Sequence, residues 1–149
     1  MTEAGGGAAQ IGRMVHLLTL GLRHVHQDFA ETVAGYGLSP QSARALVQLS
    51  DPAPMRDLAE QMNCDRSYVT TLADQLESRG LIERVTGTDR RTKLLALTEE
   101  GMAMRDRIAT EVSKRSILRQ NLTGDELDSL ESLLAKAVGD GPESAGQGC

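Results

Sequence analysis

Residues 58–101 read LAEQMNCDRSYVTTLADQLESRGLIERVTGTDRRTKLLALTEEG, and the change of apolar period along them decides the fold. Met55 to Met62 predicts a short helix that stops at Asn63, a residue type that tolerates the left-handed backbone a helix end requires. After the joint Asn63-Cys64-Asp65 a second helix begins, with Asp65 as its cap. Val69, Leu72, Ala73 and Leu76 form its narrow apolar stripe, and Gly80 ends it just past the C-cap. Beyond Gly80 the period shortens. Residues 81–85 (LIERV) and 94–97 (LLAL) are strand-like, and Gly87 and Asp89 between them predict a hairpin turn. Helix, joint, helix, hairpin is the order of a helix-turn-helix followed by a wing.

Working outward, Ser39-Pro40 is a helix-start signal for a helix to Leu49, with Ala43, Leu46, Val47 and Leu49 on its apolar side. Asp51-Pro52-Ala53-Pro54 then breaks the chain. From Gln10 to Tyr36 the apolar residues Ile11, Met14, Val15, Leu18, Leu22, Val25 and Phe29 follow helical spacing. Such a helix is roughly 40 Å long at 1.5 Å per residue, more than one small domain covers, so it packs on something else as well. C-terminal to the hairpin, Thr98 caps a helix with Glu99 and Glu100 in its first turn, running to about Gln120. Thr123 and Glu126 form a capping box ahead of Leu127, Leu130, Leu133, Leu134 and Val138.

Composition fits this reading. At 149 residues with 40% apolar and 25% charged side chains, the chain is one compact unit, too apolar for disorder. One Phe, two Tyr and no Trp leave Leu, Val, Ile, Met and Ala to build the core, which favours helices over a β-sandwich. No apolar run approaches the roughly 20 residues that cross a bilayer, and MTEAGGGAAQ lacks the basic-then-apolar order of an export signal. The expectation is a cytoplasmic protein with no membrane partner. Cys64 and Cys149 have no CxxC or His/Cys ligand spacing, so neither a disulfide framework nor a metal site is indicated. His16, His24 and His26 all fall on the first helix without a third ligand at matching geometry. No cofactor is signalled. With no nucleophile elbow, Gly-rich phosphate loop or HExxH, and with Glu99-Glu100 accounted for by capping, the chain reads as a non-enzyme.

The net charge of −5, from 16 basic and 21 acidic residues, argues mildly against nucleic acid. A phosphate backbone senses one face, however, and the charge is uneven. From Arg84 to Lys93 four basic residues (Arg84, Arg90, Arg91, Lys93) face only Asp89. A charge run is usually a solvated loop, but this one sits on a hairpin behind a helix-turn-helix. Taking Val69 as the inward reference, Ser67, Thr70, Thr71, Asp74 and Ser78 point away from the core, with Tyr68 and Gln75 on the flank. Short hydrogen-bonding side chains on one helix face suit a major groove. The helix N-terminus beside Arg66 suits a phosphate.

Residues 58–101 resemble the winged-helix core of the MarR family of bacterial transcriptional regulators. Asp89-Arg90-Arg91, then Leu97-Thr98 and Gly101, resembles that family's wing signature, an Asp-x-Arg leading into Leu-Thr-x-x-Gly; Leu76-Glu77-Ser78-Arg79-Gly80-Leu81 resembles its recognition-helix end. With the flanking helices, the resemblance covers nearly all of residues 10–139. It implies a mainly α fold with a small antiparallel β wing: a winged helix-turn-helix DNA-binding region (38–98) and long helices forming a dimerisation region (10–37 and 99–139). Residues 1–9 are then a disordered N-terminal tail and 140–149 a flexible C-terminal one. The resemblance also implies a homodimer on double-stranded DNA, with Arg91 entering the minor groove. An Arg on a narrow hairpin tip can sense the potential there, and a neighbouring Asp89 can orient its guanidinium without touching DNA. Two recognition helices expect a pseudo-palindromic operator.

The expected DNA-binding set is therefore Arg66, Ser67, Tyr68, Thr70, Thr71, Gln75, Arg90, Arg91 and Lys93, with Asp89 positioning the wing. Two departures from the family stand out: Pro54 replaces a Ser or Thr cap, and Thr71 replaces a basic residue, which shifts readout toward Gln75 and Arg66. The function expected is a repressor released by a small-molecule effector, for which only Phe29 and Tyr36 supply aromatic groups near a cleft. Two alternatives remain: a thiol-based redox sensor on the same fold using Cys64, where the helix N-terminus and the Asp65 carboxylate pull the thiol in opposite directions, and a winged-helix module for protein–protein contact.

Overall fold

The computed structural model of the chain describes residues 3–139. The element order is α1 (Glu3–Ala34), α2 (Pro40–Gln48), β1 (Ala53–Pro54), α3 (Met55–Met62), α4 (Arg66–Ser78), β2 (Ile82–Thr86), β3 (Lys93–Leu97), α5 (Glu99–Arg115), α6 (Ile117–Asn121) and α7 (Gly124–Val138). The three strands form one antiparallel sheet in the order β1-β3-β2. The architecture is mainly helical with a small β wing, as the sequence predicts.

The core lies within the winged-helix part. Leu46 and Leu49 from α2 and its end, Leu58 and Met62 from α3, Val69 and Leu76 from α4, and Leu81 and Ile82 at the start of the wing are all buried, joined by Val33 of α1 and Ile108 of α5. Each such side chain contributes roughly 1.5–3 kcal/mol on leaving water. α1 reaches this core only near its C-terminal end, and α5 buries Gly101 and Ile108 against it. The remainder of α1 leaves Ile11, Met14, Val15, Leu17, Leu18 and Leu22 exposed, and among the described residues α6 and α7 bury none.

Helix ends follow local chemistry. Ser39 accepts from Ser42 N at 3.0 Å ahead of Pro40 in the first turn of α2. After α3, Asn63 is left-handed (φ 52), Cys64 N donates to Ala59 O at 3.0 Å and Asn63 N to Glu60 O at 3.1 Å. After α4, Gly80 (φ 72) does the same, with Leu81 N on Leu76 O and Gly80 N on Glu77 O. Both are Schellman turns, in which the residue after the left-handed one packs back onto the helix: Leu81 is buried and Cys64 packs against the core. A left-handed alanine is strained, so Asn63→Ala is expected to cost about 1 kcal/mol and Asn63→Gly nothing, read as urea midpoints of the two variants. The capping box of α7 is present, and the Thr123 backbone N–H, then its hydroxyl, hold the Glu126 carboxyl below its ordinary value.

Four expectations are corrected. α1 begins at Glu3, so the supposed N-terminal tail is largely helical: Gly and Ala in the stretch do not prevent continuation of a helix already nucleated. Asp65 holds the N-cap position, yet its side chain makes no cap hydrogen bond. The single helix expected from Thr98 to Gln120 breaks at Ser116, whose hydroxyl caps the short α6. Residues 53–54 are not merely a break: Ala53 pairs with Leu95 and Pro54 with Leu94, an edge position where a missing N–H is tolerated. The expected C-terminal tail, with Cys149, lies outside the described residues.

Candidate nucleic-acid interface

α4 presents Ser67, Tyr68, Thr70, Thr71, Asp74, Gln75 and Ser78 to solvent, while Val69, Leu72, Ala73 and Leu76 face the core. The threonine hydroxyls are already used as donors: Thr70 Oγ1 lies 2.8 Å from Arg66 O and Thr71 Oγ1 3.3 Å from Ser67 O. Outward they offer oxygen lone pairs and methyl groups, which suits cytosine amino groups and thymine methyls better than acceptor-rich guanine.

The wing is a tight device. Thr86 pairs with Lys93, leaving 87–92 as the loop, which Gly87 N closes on Thr92 O at 2.9 Å. At its tip Thr92 N donates to Asp89 O at 2.9 Å, and Arg91 N donates to Asp89 Oδ1 at 3.1 Å. That is a β-turn with an Asx bond inside it, which places Arg90 and Arg91 at its two central positions. The expectation that Asp89 orients the Arg91 guanidinium is thereby corrected: the carboxylate fixes the Arg91 backbone, and the side chain is left to extend. Lys93 sits on β3, its Nζ 3.4 Å from Thr86 Oγ1.

Between wing and helices runs a cleft of about 520 Å³ lined by Met55, Arg56, Arg66, Arg84, Arg91 and Lys93 among others. Arg66, Arg90, Arg91 and Lys93 have no carboxylate partner among the described residues, and Arg56 only a loose one, Asp57 at 3.6 Å. Arg56, at the start of α3, is not singled out by sequence; only the fold brings it beside residues ten and more positions away. Arg84 differs from the rest of the basic stretch. Its guanidinium reaches back to Asp74 and Glu77 on α4, and the hydrogen bond to Asp74 raises its pKa against the lowering by burial, with Glu77 adding to the rise.

The corner that carries the wing explains the Leu-Thr-x-x-Gly pattern. Thr98 Oγ1 donates to Gly80 O at 2.6 Å and accepts from Gly101 N at 3.0 Å, so one hydroxyl caps α5 and ties it to the end of α4. Arg79 adds a second tie, donating to Gly37 O at 2.6 Å and Tyr36 O at 3.0 Å. Phe29 and Tyr36 are half-buried against the core. Cys64 is half-buried too, its sulfur 3.3 Å from Met62 O, and it is not a free thiol.

These elements define a winged helix-turn-helix protein with a basic cleft beside its recognition helix. A profile of the MarR family matches residues 38–93. The HTH-type transcriptional repressor MdtR of Bacillus subtilis (strain 168) is 34% identical over 80 residues, 52% of this chain and 52% of that protein, so the chain spans about half the length of this curated relative. Among solved structures, apo wild-type MarR from E. coli superposes with a TM-score of 0.72 at 23% identity, over 86% of this chain and 96% of that one. A mutant of E. coli MarR complexed with operator DNA gives 0.66 at 23% identity, over 87% and 96%. At that identity the likeness is one of fold. Residues 38–93 thus match the MarR family of winged-helix transcriptional regulators, and the fold over most of the chain is that of MarR itself.

Proposed function

We propose that the chain is a sequence-specific double-stranded-DNA-binding regulator: a cytoplasmic homodimer that represses from a pseudo-palindromic operator and is released by a small-molecule effector. The observation that carries this reading is the juxtaposition of the polar face of α4 with an arginine-tipped wing across a cleft lined by cations. α4 reads the major groove through Ser67, Tyr68, Thr70, Thr71 and Gln75. Arg66, Arg90 and Lys93 engage phosphates, Arg91 reaches the adjacent minor groove, and Asp89 sets its position from the turn. The exposed apolar faces of α1 and α7 support pairing of two copies, which spaces half-sites about one helical turn apart. Repression is the activity in the name of the Bacillus relative. An effector acts by binding more tightly to a dimer whose recognition helices are wrongly spaced.

Binding-site selection with the purified protein, followed by titration of the selected duplex in rising salt, tests the reading. Log K is expected to fall linearly with log salt, and Arg91→Ala to weaken binding and flatten the slope by about one. Failure to enrich any duplex at low salt, or affinity indifferent to salt, refutes it and favours a protein-contact module.

A further inference from the structure

Arg84 lies in the basic stretch but is not arranged like a phosphate ligand. Asp74 and Glu77, three apart on α4, share a face of the recognition helix, and each places a carboxylate where the helix approaches a polyanion. Arg84, in the middle of β2, spans the gap with one guanidinium nitrogen on each: Nη1 on Glu77 and Nη2 on Asp74. The arginine side chain is 33% exposed, the two carboxylates 39% and 60%. On its other side Arg84 borders the cleft shared by Arg56, Arg66, Arg91 and Lys93. Ion pairs this exposed contribute little to folding stability, because water and salt screen them. Their consequence lies in geometry and in the field above α4. The contact links the middle of the wing strand to the recognition helix at a second point, beyond the Gly80 turn that joins the two elements. A forked, planar donor holds both carboxylates in a fixed relative orientation, which a freely rotating ammonium does not.

We propose that Arg84 is a positioning residue for DNA binding: it clamps the wing to the recognition helix through Asp74 and Glu77 and offsets part of their repulsion of phosphate, without itself contacting the duplex. The proposal rests on the DNA-binding reading above. With Arg84 in place, one positive charge stands against two negative ones; without it, both carboxylates face the backbone uncompensated, and the wing keeps its β1 pairing but loses its side-chain tie to α4 beyond the Gly80 turn.

The test is a cycle of full-length variants against the selected duplex. Arg84→Ala is expected to weaken binding about tenfold, while leaving the melting temperature within a few degrees of wild type. Adding Asp74→Asn and Glu77→Gln to Arg84→Ala should recover the share of that loss due to the uncompensated carboxylates but not the share due to the missing clamp, and Arg84→Lys should fall between wild type and Arg84→Ala. A loss that persists undiminished in the triple variant, with the salt slope lowered by about one, identifies Arg84 as a direct phosphate contact and overturns the proposal. Hydrogen exchange on the DNA-free proteins provides the independent arm: Arg84→Ala should speed exchange of the amides in 87–92, and unchanged exchange overturns the clamp whatever the DNA result. Wild-type protein that binds no duplex refutes the DNA reading instead, and the exchange arm still decides whether the clamp exists.

Discussion

Gly101→Ala is expected to lower stability by about 3 kcal/mol, seen as a large fall in the urea midpoint with the slope unchanged. Gly101 is buried in the first turn of α5, and a Cβ there would stand 1.9 Å from Leu81 O and 2.9 Å from Leu81 C. Both obstacles are backbone, so no rotamer change relieves the clash. The Leu81 carbonyl is pinned in turn, since it accepts from Thr98 N at 3.1 Å, and Thr98 Oγ1 holds Gly80 O. Relief therefore requires α5 to separate from the corner where α4 passes into β2, with loss of the Thr98 bonds. Thr98→Ala removes the cap and the tie to Gly80 O without any clash and should cost about 1–2 kcal/mol, giving a graded pair from one site. A Gly101→Ala protein as stable as wild type would mean that α5 and the wing base do not meet this closely.

Features set by one or two residues' own backbone preferences were legible in sequence. Asn63 and Gly80 declare helix ends because few residue types accept a left-handed backbone, and the structure places both there. The Thr123–Glu126 box and the Ser39-Pro40 start are likewise local, and both form. What escaped depends on partners distant in sequence. β1 is two residues long and exists only because Leu94 and Leu95 arrive beside it. The break at Ser116 interrupts an apolar period that runs on to Leu118, with no Gly or Pro to announce it. Arg84 reads as one more positive charge of the wing until the fold sets it against Asp74 and Glu77. Asp89 was recognisable as a turn residue, but which group it would satisfy, backbone or guanidinium, depended on the loop closing around it. Gly101 belongs to a recognisable pattern, yet the reason for glycine is the Leu81 carbonyl, far back along the chain.

Charging the face of α1 is expected to have the largest effect on DNA binding. Leu18 and Leu22 lie one turn apart on that helix and are 54% and 51% exposed in the isolated chain, next to Val15 at 57% and Ile11 at 58%. A helix cannot keep such a stripe in water over this length without a covering surface: each leucine left exposed forgoes roughly 1.5–3 kcal/mol. If a second copy covers it, Leu18→Glu with Leu22→Glu places carboxylates from both subunits in one apolar seam and separates them. The winged-helix core, from Leu38 to Leu97, has its own buried cluster and should stay folded. A monomer then engages one half-site at a time, and affinity for the full operator should fall by about 10²–10⁴ as the linkage between half-sites is lost. Sedimentation velocity gives the mass and the same selected duplex gives the affinity. A double variant that remains dimeric and binds as wild type would assign the subunit contact to another surface, with α7 and its exposed Leu133 and Val138 next to be charged.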